Sequence, residues 1–103
     1  MNPNIWGPHL WHFLHAISIN YPRKPTTDQQ MQMWHFLYSL QYVLPCSCQT
    51  NYATHLTNHP PPLYSRQKFF KWLVDLHNKI NVQNHKRTYT YDEVKQMYNA
   101  MYR

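Results

Sequence analysis

The chain has one glycine, Gly7, in 103 residues, and eight prolines placed mostly near likely element ends. Glycine is the residue that adopts left-handed turn conformations without steric cost, so a chain with a single one makes few tight turns. That punctuation points to helices joined by proline-marked connections, and no stretch alternates convincingly as a strand does. Five helices are expected. The first runs from about Pro8 to Asn20, after NPNIWGP. The second opens on Thr27 and Gln30, read as a capping box, and keeps Met33, Leu37, Leu40 and Leu44 at helical spacing. Pro45 either ends it or occupies the first turn of the next. The third carries Cys48 to about Thr57, and NHPPPLYS at 58–65 is a loop by composition. The fourth spans about Ser65 to Gln83, with Phe69, Leu73, Leu76 and Ile80 as its apolar stripe. In the fifth, Thr90 and Glu93 form a capping box, and Val94, Met97 or Tyr98, and Met101 face inward. Short connections favour an antiparallel bundle, so the fold class is all-α, one domain over residues 1–103.

Composition narrows the function classes. Aromatic residues make up 17% of the chain, far too much ring surface for a disordered segment. No apolar run approaches the roughly 20 residues that span a bilayer. The stretch MNPNIWGPHLWH has no apolar signal region, so a cytosolic protein is expected. The formal net charge of +6 suggests an anionic partner: nucleic acid, an acidic protein or a phosphate-bearing cofactor. The positive residues are scattered, with only HKR at 85–87 clustered and no reader motif, so nucleic acid is not the expected partner.

The two cysteines, Cys46 and Cys48, lie within VLPCSCQTNY. In a cytosolic setting a close pair more often does redox or metal chemistry than structural bridging. A thiolate is the nucleophile in disulfide exchange, and a helix start following Pro45 lowers a thiol's pKa. Only Ser47 separates the sulfurs, where redox pairs usually have two intervening residues. The smaller ring this closes favours an easily reduced bridge. Two other readings stay open. The thiols are inert neighbours, or they join His55 and His59 as a zinc site of pattern Cys-x-Cys-x6-His-x3-His.

Two helical faces carry candidate binding residues. Gly7, Trp11 and His15 fall at i, i+4 and i+8. A glycine there lets a flat ligand approach the backbone, and Trp and His beyond it stack and hydrogen-bond. The alternative is an ordinary core, with His15 a satisfied core histidine. On the fourth helix His77, Asn78 and Asn81 cover one narrow arc beside the apolar stripe. Their hydrogen-bond partners are a purine or ribose, or else backbone groups and water. Lys86 either meets a phosphate or is a solvated charge.

Taken together and in this order, WGPHLWHFLH, PCSC and WLVDLHNKIN with Lys86 resemble the Erv/ALR family of FAD-dependent sulfhydryl oxidases. The resemblance runs from about Trp6 to Tyr98 and includes YP at 21–22 and NHP at 58–60. It implies a four-helix bundle with a short fifth helix, FAD held within the bundle, and a non-covalent homodimer. Carried over, the flavin-binding residues are Gly7, Trp11, His15, His77, Asn78, Asn81, Lys86, Tyr89 and Tyr98. The redox pair is Cys46, facing the client, and Cys48, nearer the flavin. The implied activity is thiol oxidation in a client or relay protein, with electrons passing to flavin and then to O2 to give H2O2. The chain departs from the family in its single-residue Cys-x-Cys spacer and in having no further cysteines. In the latter it is similar to minimal forms encoded by large DNA viruses, which work in the host cytoplasm with a separate thiol relay. No resident metal is implied. The competing class is a non-enzymatic, zinc-stabilised helical binding module.

Overall fold

The structure, a computed structural model, describes residues 1–101, with side chains up to Ala100; the expected inward face of Met101 lies outside what is described. Among the described residues there are five α-helices and no strand: α1 (Pro3–Asn20), α2 (Thr27–Val43), α3 (Gln49–Asn58), α4 (Arg66–Gln83) and α5 (Tyr91–Met101). Among the described residues no helix is long and apolar enough to cross a membrane.

Helix α1 starts five residues before the expected Pro8. Asn2 caps it, its side-chain oxygen accepting from the Asn4 N–H at 2.9 Å, and Pro3 takes the first turn, where a missing N–H costs nothing. Pro8 therefore sits inside the helix and removes one backbone hydrogen bond without ending it. The α2 capping box is also one residue earlier than expected. Thr26 is the cap: its hydroxyl accepts from the Gln29 N–H at 3.1 Å, and its N–H donates to Gln29 Oε1 at 2.9 Å. The sequence TTDQQ offers two boxes at the same spacing. Gln30 is instead used to donate to the Pro25 carbonyl at 3.2 Å.

Pro45 ends α2 rather than opening the next helix: Leu44 is the C-cap and α3 begins only after Cys48. The fourth helix is capped by Ser65 and the fifth by the expected box, with Thr90 and Glu93 bonded reciprocally at 3.1 Å each. Helix α1 packs along α4, α2 against α3, and α5 against α4. Leu37, Phe69, Leu73 and Leu76 form the centre of the core, and Val74, Val94 and Tyr98 a second cluster beneath α5. Tyr98, and not the exposed Met97, is thus the inward residue of its turn. Buried hydroxyls tie the layers. Tyr52 donates to the Leu37 carbonyl, and Tyr21 to that of Leu63 at 2.7 Å.

Candidate functional site

A cleft of about 920 Å³ opens between the first half of α1, the last turns of α4 and the α2–α3 junction. Of the residues singled out in the sequence, Gly7, Trp11, His15, Cys46, Cys48, His77, Asn81, Lys86, Tyr89 and Tyr98 all line it; Asn78 does not. The volume lies in the range of cofactor pockets, and the wall mixes aromatic and aliphatic side chains with a few polar groups.

Three rings from two helices make one wall. Trp11 stacks on His77 with centroids 4.0 Å apart and planes 8° from parallel. His15 Nε2 lies 3.1 Å from His77 Nδ1. His15 is fully buried, and its ring packs 4.9 Å from that of Tyr98. Burial, then the neighbouring His77 and His12, lowers the His15 pKa to about 3. Burial, then Lys86, lowers that of His77 to about 4. Both imidazoles are therefore neutral at neutral pH. His15 is only half-satisfied: its Nδ1 is buried without a partner, as is Nε1 of Trp6, which lines the same cleft. Gly7 adds an open wall, since a Cβ built there meets nothing within 4 Å.

The asparagines act on the loop that follows α4. Asn78 Nδ2 donates to the Tyr89 carbonyl at 2.7 Å, and its Oδ1 accepts from the Tyr89 N–H at 2.9 Å. Asn81 Nδ2 donates to the Arg87 carbonyl at 3.1 Å. The turn itself is a Schellman motif, with the Lys86 N–H bonded to the Asn81 carbonyl at 2.7 Å and the His85 N–H to that of Val82 at 3.2 Å. His85, with φ 58°, holds the left-handed position that glycine usually fills. This pinning sets Lys86 and Tyr89 against the cleft. Lys86 Nζ donates to Asn4 Oδ1 at 3.3 Å, and Arg87, paired with Glu93, lies 4.4 Å above the Tyr89 ring.

Cys46 and Cys48 are joined as a disulfide, with Cα atoms 5.2 Å apart, and both are half-buried on the cleft wall. Cys48 is the N-cap of α3. The zinc set does not assemble: among the described residues no group of three or more His, Cys, Asp or Glu side chains converges to hold a metal. The two sulfurs are spent on each other, and His55 packs between His59 and Trp72, with ring centroids at 5.1 and 5.5 Å.

Trp6, Tyr52 and Arg87 also line the cleft and were not anticipated. Trp6 was legible in principle, because it stands at i−4 to Leu10 and i−8 to Leu14 on the inward row of α1. Tyr52 and Arg87 reach the cleft through tertiary packing that spacing does not encode.

The profile of the Erv1 / Alr family matches residues 8–99. The chain is 40% identical over 97 residues to the protein named "Probable FAD-linked sulfhydryl oxidase" of Acanthamoeba polyphaga mimivirus, covering 90% of this chain and 68% of that one. It is 30% identical over 76 residues to the mitochondrial FAD-linked sulfhydryl oxidase ERV1 of Saccharomyces cerevisiae, covering 73% of this chain and 40% of that one. It thus spans about two thirds of the viral relative's length and two fifths of the yeast one's. The crystal structure of the FAD binding domain of Erv1 from Saccharomyces cerevisiae superposes with a TM-score of 0.90 at 25% identity, over 95% of this chain and 94% of that one. A profile match over nearly the whole length, on a helical fold shared end to end, has one consequence: the chain belongs to the Erv1 / Alr family.

Proposed function

We propose that this chain is an FAD-linked sulfhydryl oxidase that oxidises thiols of a client or relay protein through the Cys46–Cys48 disulfide. One observation carries the reading: the disulfide and the Trp11–His77–His15 wall line the same cleft. The residues present fit FAD. Gly7 leaves open space on one wall, and the buried Trp6 Nε1 lacks a partner. Lys86 and Arg87 supply positive charge suited to a pyrophosphate. Gly7, Trp11, His77 and Lys86 hold the cofactor, and His15 acts on it through its hydrogen bond to His77. Asn78 and Asn81 serve it indirectly by fixing the loop that presents Lys86 and Tyr89.

The chemistry of the cysteines follows from their positions. A client thiolate attacks Cys46 Sγ, the Cys46–Cys48 bond breaks, and Cys48 leaves as a thiolate. The first-turn N–H groups of α3 have no intrahelical partners, and Cys48 caps that turn, so negative charge is better held there. A thiol of lower pKa leaves faster, which directs attack to Cys46. The client's second thiolate then displaces Cys46, so the client loses two electrons and two protons and the enzyme pair gains them. When bound, FAD supplies the two-electron acceptor that reoxidises the pair, with dioxygen as terminal acceptor and hydrogen peroxide as product. His15 and His77, both neutral, add no positive charge beside the cleft.

Cys46 and Cys48 are the only cysteines among the 103 residues, and the electrons they receive come from the dithiol of a client or relay protein. Apolar side chains such as Ile5, Phe13, Tyr42 and Val43 are left exposed on α1 and α2, and a non-covalent two-fold dimer covers them. Purified protein should show a flavin spectrum, sediment as a dimer with or without reductant, and consume oxygen while oxidising a dithiol. Cys46→Ser and Cys48→Ser should each abolish turnover. Only Cys46→Ser should show the long-wavelength band of a thiolate beside oxidised flavin. Dithiol oxidation that survives in either variant sinks the proposal.

A further inference from the structure

The hydrogen bond between His15 and His77 fixes more than a contact. Each neutral imidazole carries one N–H, so one of the two rings must donate across the 3.1 Å gap between His15 Nε2 and His77 Nδ1. Two arrangements are possible. If His77 donates, His15 must carry its proton on Nδ1, which is buried and has no partner. If His15 donates from Nε2, its Nδ1 is a bare lone pair. A buried orphan N–H is rarer and costlier than an under-used acceptor, so the second arrangement prevails. His77 Nδ1 is then the acceptor, and the His77 proton must sit on Nε2.

We infer that His15 is a positioning residue that sets His77 as an Nε2–H donor on the cleft wall, for a ligand with a hydrogen-bond acceptor at that point. Nε2 lies across the ring from the bond to His15, and it has no hydrogen-bond partner among the described residues. Trp11 covers one face of His77, so recognition is by the ring edge on that side. The acceptor is a ring nitrogen or carbonyl oxygen of the bound cofactor, a clause that rests on the FAD reading; the tautomer does not.

The experiment records long-range proton–nitrogen spectra of the full chain carrying nitrogen-15 histidine, together with FAD titrations. The wild type should show His77 protonated on Nε2. His15→Phe keeps a ring in the cavity but removes the donor. It should convert His77 to a mixture of tautomers and raise the FAD Kd by about tenfold, the scale of one hydrogen bond. His15→Gln keeps an amide donor and should stay close to wild type in both readouts. His77 found protonated on Nδ1 overturns the inference, as does a His15→Phe protein unchanged in spectrum and affinity. If His15→Phe does not fold, the wild-type and His15→Gln spectra still decide. Should the tautomer be as stated while FAD does not bind, the positioning inference stands and the FAD reading fails.

Discussion

Asn78 stands in the arc where spacing suggests ligand contact, yet both ends of its amide are taken by the backbone of Tyr89. Spacing left open whether a ligand or backbone groups meet this amide, and the structure gives it the backbone of Tyr89. A helical wheel reports direction and not what a distant loop brings to meet it. Replacing Asn78 by Ala leaves a part-buried N–H and C=O of Tyr89 unpaired, which should cost about 1–3 kcal/mol in urea unfolding. The same change should weaken FAD binding, because Tyr89 and the neighbouring Lys86 lose their anchor. Full stability with unchanged affinity would show that the clamp is idle. His15 and His77 give a second residue-level expectation. Their folded pKa values, about 3 and about 4, lie below the ordinary 6.5, so the unfolded chain binds more protons near pH 5. Their contribution to stability is complete above pH 6.5 and is lost as pH falls toward the folded values. His55, likewise lowered by burial, contributes in the same sense. The unfolding midpoint should fall across that window, and His15→Phe should flatten the fall.

At the level of elements, the helices follow from local chemistry and their ends from choices between near-equal local options. Spacing identifies α4 and its buried stripe because Phe69, Leu73 and Leu76 repeat with the helical period. It misplaces the start of α1 because two prolines compete, and Asn2 with Pro3 is the better start. It misses the Schellman turn after α4 because the usual glycine signal is absent and His85 stands in the left-handed position. That substitution is strained by its Cβ. His85→Gly should therefore stabilise the protein by about 0.5–1 kcal/mol, less the extra freedom glycine gives the unfolded chain. Thermal unfolding of the two proteins checks it. A lower midpoint for the glycine variant would mean that the His85 side chain makes an offsetting contribution where it lines the cleft.

At the level of the whole molecule, the helices leave an open cleft of about 920 Å³ between them. A chain of this size already buries a smaller fraction of its surface than larger domains do. The helical class was legible because each apolar stripe is local. The cleft was legible only through the joint order of three motifs, because no single segment encodes that α1, the end of α4 and the α2–α3 junction converge. The buried Trp6 Nε1, left without a partner, adds a desolvation cost that a ligand can offset. Stability should therefore depend on the cofactor by mass action. FAD at a hundred times its Kd adds about 2.7 kcal/mol. For a domain of this length that is a rise of roughly 10 °C or more in Tm. Stripped protein melted against increasing FAD should show Tm climbing with the logarithm of concentration. FMN has the same ring but lacks the adenylate half, so it leaves part of the cleft unfilled and should raise Tm less at equal concentration. A Tm indifferent to FAD would mean that the cleft is not its site, and an equal response to both would mean that only the ring half is held.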